Sequence, residues 1–172
     1  MIKSLSLPTR IKAFQIPEDV LSLVESLKED IFLGRLKPRE RLIEFALSEK
    51  LGVKRNKLRK ALLELDRLGL IVIEPNKGAM VRDFELDEIE QIIQMRKMLE
   101  EQVARLIPLP PPAESLLVLT QLQQHHEEAI AKGDMLSAYK LNQEFHDALY
   151  SHCGNDYLTE MSKYFTTLVD VI

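Results

Sequence analysis

The stretch Leu47–Leu70, LSEKLGVKRNKLRKALLELDRLGL, constrains this chain more than any other. Leu58, Ala61, Leu62, Leu65 and Leu68 fall three and four apart, which predicts a helix from about Lys54 to Leu68 with one apolar face, ended by Gly69. A shorter helix near Ile43–Leu51 stops at Gly52-Val53 just before it. Two helices joined by so tight a turn have the form of a helix-turn-helix. The second begins with Lys54, Arg55, Lys57, Arg59 and Lys60. A helix N-terminus is already positive, so each cation there costs a few tenths of a kcal/mol. Such a run implies an anionic partner, and a phosphate backbone is the simplest one.

The flanks extend this pattern. Val20, Val24, Leu27 and Ile31 predict a first helix that begins near Pro17 and ends at Gly34. Pro38 marks the turn that leads into the second helix. Beyond Gly69, Leu70–Glu74 and Ala79–Arg82 read as short strands, joined by the turn Pro75-Asn76-Lys77-Gly78. A hairpin directly after a helix-turn-helix is a wing, and its tip offers Lys77 to a minor groove or a phosphate. Residues 1–17, bracketed by Pro8 and Pro17, read as an irregular arm.

The remainder is helical. Asp87 and Glu90 suggest a capping box for a helix that runs to about Leu106. Pro108, Pro110, Pro111 and Pro112 exclude helix between Ile107 and Ala113. Further helices are expected at about Ala113–Lys132, from an Asp134 cap to Ser151, and at about Tyr157–Val171. The expected fold class is therefore mostly α. An arm (1–17) precedes a winged helix-turn-helix domain with a small β-hairpin wing (18–83). An all-α antiparallel bundle (84–172) follows.

Charge divides at the same place. Residues 1–18 carry net +2, residues 19–83 net +3 and residues 84–172 net −9, which accounts for the overall −4. A basic front and an acidic back imply modules with different partners, and a polyanion would repel the acidic half. Cys153 is the single cysteine, so no internal disulfide can form, which fits a reducing cytoplasm. No apolar run approaches the roughly 18 residues of a membrane span. Lys3, Arg10 and Lys12 interrupt any signal-peptide core. The sequence shows no Ser/His/Asp set, glycine-rich phosphate loop or complete metal cluster, so an enzyme is not expected.

GRLKPRERL (34–42), KLGVKRNKLRKALLELDRLGLI (50–71) and EPNKGAMV (74–81) resemble the winged-helix domain of GntR-type bacterial transcription regulators. MRKMLE (95–100), GDMLSAYKLNQEFHDALY (133–150) and GND (154–156) resemble the FadR-like branch, whose effector domain is called FCD. The resemblance implies a regulator that binds double-stranded DNA at a palindromic operator as a homodimer. It also implies a repressor tuned by a small organic acid. It places Arg41, Arg55, Arg59 and Gly78 at family DNA-contact positions. Arg55 and Arg59 share a helix face, and an arginine fork reads guanine bidentately. The chain departs from the family at Lys54, Asn56, Lys57 and Lys60, and at Arg39, where a glycine is common. The changes add positive charge and imply stronger phosphate contact. Asn56 could read adenine or hold a phosphate, and Lys54, Lys57 and Lys60 could each face solvent.

Arg96 falls on the apolar stripe formed by Ile92, Leu99, Val103 and Leu106, so it needs a partner. Glu100 one turn on would serve; so would a carboxylate effector, because the resemblance puts an arginine of the ligand pocket here. Asn142 and His146 lie four apart on one helix face, where the branch has Asp and His of a metal site for Zn or Ni. Asn is the weaker ligand, and the family's two later histidines lie beyond Ile172, so only a degenerate site is expected. Four bundle helices stand where the branch has six or seven, so a homodimer is expected to bury what they leave exposed. Tyr157, Leu158, Met161, Phe165, Leu168 and Val169 are the candidates on the last helix. The competing expectation is a DNA-binding dimer whose second domain senses no ligand.

Overall fold

A computed structural model describes residues 16–74 and 77–172. The arm up to residue 15 and Pro75-Asn76 of the wing turn lie outside the described residues. The elements run α1 (Glu18–Phe32), β1 (Arg41–Leu42), α2 (Glu44–Leu51), α3 (Arg55–Arg67), β2 (Ile71–Glu74), β3 (Gly78–Val81), α4 (Leu86–Leu106), α5 (Ala113–Ala131), α6 (Met135–Ser151) and α7 (Asp156–Val169).

Helix α3 buries Leu58, Ala61, Leu62 and Leu65 against α1, whose Val20, Leu23, Val24 and Leu27 face it. Gly52 takes a left-handed conformation (φ 63°) at the end of α2, and this turns the chain into α3. The hairpin is wider than the sequence indicates: an antiparallel three-stranded sheet of order β1-β3-β2 replaces the expected two strands. Arg41 pairs with Met80 and Leu42 with Ala79 across β1 and β3, while Val72 faces Met80 across β2 and β3. Two residues are too few for β1 to show an alternating pattern.

In the second half α4 packs on α7 and α5 on α6. The core that begins in α1–α3 also takes in Ile92 of α4 and Leu168 of α7. Tyr150, Val103 and Cys153 form a smaller core of their own. Asp134 caps α6 as expected, accepting from the Ser137 amide at 3.0 Å.

Two local expectations are corrected. Helix α4 starts at Leu86 with Glu85 at its cap position, and no side-chain capping bond forms. The Asp87/Glu90 box is absent because Asp87 is the second residue of the helix and not its cap, while Glu88 reaches back to Arg82. Helix α7 buries only part of its apolar set: Leu168 is in the larger core, Phe165 and Val169 pack against it and Leu158 against the smaller one, but small hydroxylated residues take the other inward places. Ser162, Thr166, Thr167 and Leu168 face inward, while Tyr157 and Met161 stay exposed. Small hydroxylated side chains let α7 lie close to α4, and Thr166 finds a partner in the Tyr150 hydroxyl at 2.8 Å.

Candidate functional site

The first two turns of α3 present Arg55, Asn56, Arg59 and Lys60 to solvent, opposite the buried leucines. Lys54 precedes the helix at its cap position and is also exposed. Arg55 lies over the ring of Phe45, with 5.1 Å from the guanidinium carbon to the ring centroid. Arg59 holds both carboxylate oxygens of Glu44, through Nε at 3.2 Å and Nη2 at 2.8 Å. That hydrogen bond, more than charge alone, raises the Arg59 pKa and lowers that of Glu44. Lys57 leaves this group: it is half-buried and turns to Asp19 of α1 at 3.6 Å. Glu44 and Phe45, in the first turn of α2, are neighbours that no motif in the sequence marks.

The wing stands beside this face. Arg41 of β1 donates through Nη1 to the Lys77 carbonyl at 3.1 Å, which ties the strand to the wing turn. Lys77 pairs with Glu74 at 2.7 Å, and Gly78 has φ 84°. Arg41, Lys77 and Gly78 thus sit together because β1 pairs with β3, which carries Arg41 to the wing turn.

A second polar cluster lies between α4, α6 and α7. Arg96 donates through Nε to Glu100 at 2.8 Å, and its Nη2 is 3.1 Å from Nε2 of His146. The Tyr150 hydroxyl donates to Glu100 at 2.8 Å. Burial works against the Arg96 charge, but Glu100 outweighs it and the pKa is raised. Burial first, then the Arg96 charge, holds the His146 pKa below its usual range. Because Arg96 donates to Nε2, the proton of a neutral His146 sits on Nδ1. That buried nitrogen has no hydrogen-bond partner; Glu100 Oε1 lies 3.8 Å away.

Asn142 and Gln143 both donate to Asp170 at the end of α7, Asn142 at 3.3 Å. Burial pushes the Asp170 carboxyl up to about 6, although Arg96 and Lys28 pull the other way. Glu100 was legible one turn from Arg96, and Tyr150 one turn from His146. Asp170, 28 residues from Asn142, carried no local signal.

These residues do not fit a metal ion. Asn142 turns its amide nitrogen, a donor, toward Asp170, and the only ring nitrogen of His146 free of a proton faces a guanidinium. No three His, Cys, Asp or Glu converge among the described residues. Nor, among them, is any helix long and apolar enough to cross a membrane.

Comparison with known proteins agrees with this division. The family described as "Bacterial regulatory proteins, gntR family" matches residues 20–81, and "FCD domain" matches residues 91–171. The HTH-type transcriptional regulator YdhC of Bacillus subtilis (strain 168) is 28% identical over 150 residues, covering 87% of this chain and 67% of that protein. The Nta operon transcriptional regulator of Aminobacter aminovorans is 32% identical over 124 residues, covering 71% and 58%. The chain therefore spans between 58% and 67% of the lengths of these two relatives. The solved structure of E. coli McbR/YncC superimposes with a TM-score of 0.70 at 27% identity, covering 87% of this chain and 70% of that one. YdhC, the Nta operon protein and McbR are each described as transcriptional regulators.

Proposed function

The chain belongs to the GntR family of bacterial regulatory proteins and carries an FCD domain, and from that premise we propose that it is a cytoplasmic repressor that binds a palindromic DNA operator as a homodimer and responds to a small carboxylate. Residues 18–83 form the reading head and residues 84–172 the effector and dimerisation domain. Arg55, Asn56 and Arg59 read base edges, while Arg41, Lys54, Lys77 and the wing backbone at Gly78 hold phosphates. Lys57 adds charge from the flank, behind its pair with Asp19. Exposed Ile93 and Met98 on α4, with Leu116 and Leu117 on α5, supply apolar surface for a two-fold partner.

The observation that carries the effector reading is a guanidinium and an unpartnered buried N–H on one imidazole: Arg96 meets His146 at Nε2, and the Nδ1–H of the same ring has no partner. Together they complement a carboxylate, with Asn142 one turn before His146 on α6. A divalent ion has no place in this reading.

Two experiments test it. A mobility-shift titration at several salt concentrations should show steep loss of affinity with salt. Arg55→Ala should weaken operator binding by about 1–3 kcal/mol and relax base preference. Unchanged affinity would move the reading face elsewhere. Calorimetry of the folded protein against a panel of organic acids, with and without divalent metal, tests the sensor. Absence of binding to every acid would leave a DNA-binding dimer that senses nothing.

A further inference from the structure

We propose that the first turn of α2 sets the base preference of the recognition helix, with Glu44 and Phe45 each holding one of its arginines in a fixed orientation. This rests on the DNA-reading function proposed above and adds positioning residues to it. Neither residue is explained by folding. Phe45 is 59% exposed, and its neighbour Ile43 is 64% exposed, so the ring contributes little to the core. Glu44 puts a negative charge on the face that must approach phosphates, where a bare carboxylate would be repelled.

Each residue is explained by what it does to an arginine. Glu44 takes Nε and one Nη2 hydrogen of Arg59. That occupies one edge of the guanidinium. The opposite edge keeps two parallel donors, the arrangement that meets guanine O6 and N7. Glu44 therefore fixes which edge faces outward. Phe45 works differently. A ring under the plane of Arg55 restrains the guanidinium without occupying any N–H, so all its edges remain available. Both arginines are ordered before DNA arrives, so less side-chain freedom is lost on docking. The two supports are successive residues on one helix, so they also set the spacing between the two guanidinium groups.

The test uses the full chain. Preferred duplexes are first selected by the parent protein from a randomised library. Affinity is then measured for a preferred and a scrambled duplex with Glu44→Ala, Glu44→Gln, Phe45→Leu and Phe45→Tyr. Glu44→Ala and Phe45→Leu should each lower the ratio of preferred to scrambled affinity roughly tenfold. Binding to the scrambled duplex should hold for Phe45→Leu and strengthen for Glu44→Ala, which removes a negative charge. A role in folding alone would weaken both duplexes together. Phe45→Tyr retains the ring and should behave as the parent. Glu44→Gln retains an acceptor and should fall between. Thermal unfolding of the four variants confirms that they are folded, and the two conservative changes keep the test valid if either drastic one is not. If the parent selects a site but Glu44→Ala and Phe45→Leu keep its ratio, the positioning role is overturned. If the parent prefers no sequence at all, the reading function fails, and this inference with it.

Discussion

Phe32 at the end of α1 stacks on Tyr139 of α6, with ring centroids 4.2 Å apart and planes inclined by 25°. One turn earlier on α1, Glu29 meets Lys140 at 2.7 Å. The helix that supports the recognition helix therefore touches the helix that carries Asn142 and His146. Tyr139 is buried, and its hydroxyl has no hydrogen-bond partner. Burial accordingly pushes its pKa far up, so the group stays neutral. An unsatisfied buried hydroxyl costs stability, whereas the ring contributes it. Tyr139→Phe should raise the free energy of unfolding in urea by about 1 kcal/mol. A double-mutant cycle with Phe32→Leu should give a coupling of about 0.5–1.5 kcal/mol. Destabilisation by Tyr139→Phe would mean that the hydroxyl is satisfied after all.

Asp170 gives stability a pH dependence of unusual sign for a carboxylate. Its pKa rises from 3.8 to about 6, chiefly through burial. The folded chain thus binds this proton more tightly than the unfolded chain does. The contribution favours folding below about pH 4 and is lost as pH rises to about 6. Arg96 from α4 and Lys28 from α1 oppose the shift, and the amides of Asn142 and Gln143 from α6 face the same carboxylate. His146 trends the other way: its pKa is lowered from 6.5, so its contribution is present above that pH and lost on acidification. Comparison with Asp170→Asn largely cancels the His146 effect. The variant should be more stable than the parent at pH 7, with the advantage fading toward pH 4. A difference that does not vary with pH would show that Asp170 does not titrate in this window.

Arg39 occupies a left-handed conformation, φ 64°, at a place where the resemblance leads one to expect glycine. Its side chain offsets part of the strain by pairing with Asp83 at 2.5 Å, and its amide donates to the Val81 carbonyl at 3.0 Å. The ion pair is exposed and worth at most about 1 kcal/mol. Left-handed backbone costs an ordinary residue about 1–2 kcal/mol. Arg39→Gly should therefore be neutral or slightly stabilising in thermal unfolding. Arg39→Val loses the ion pair and crowds the same backbone, so it should lower stability by about 1–2 kcal/mol. Equal effects of the two changes would remove the conformational explanation.

The helix-turn-helix was legible because its signals are local: leucines three and four apart, a glycine turn, and basic residues at one helix start. Arg55 and Arg59 emerge on the face that spacing assigns them. What spacing could not give is the support beneath them, since Glu44 and Phe45 belong to a different helix and meet the arginines only through the fold of the turn. Lys57 shows the converse. It stands between Arg55 and Arg59 in sequence, yet two positions around a helix turn it roughly 200° away, to Asp19. In the second half, Arg96 and Glu100 were one turn apart and readable. Asp170 joined the cluster from the end of α7, and that helix buried Ser162, Thr166 and Thr167 alongside Leu168, while Met161 and Tyr157 of the six apolar candidates stayed exposed.

Gly69 joins these two halves, and that role gives it a cost of its own. It ends α3 with φ 74°, its amide donating to the Asp66 carbonyl at 2.9 Å. A Cβ there would lie 3.1 Å from the Tyr164 hydroxyl, 3.2 Å from Arg82 Nη1 and 3.3 Å from Leu168 Cδ2. The Tyr164 and Arg82 atoms are ends of side chains that can swing away. Leu168 is buried in the shared core and cannot. Gly34 has a similar φ of 68° with nothing within 4 Å of its missing Cβ, so it reports backbone strain alone. Gly34→Ala should cost about 1 kcal/mol, and Gly69→Ala about 2–3 kcal/mol once crowding against α7 is added. Removing the obstacle should remove the excess. In a Leu168→Ala background, Gly69→Ala should fall back toward the cost of Gly34→Ala, as measured by urea unfolding. If the excess persists in that background, Leu168 is not what Gly69 makes room for, and α7 does not hold the reading head through this contact.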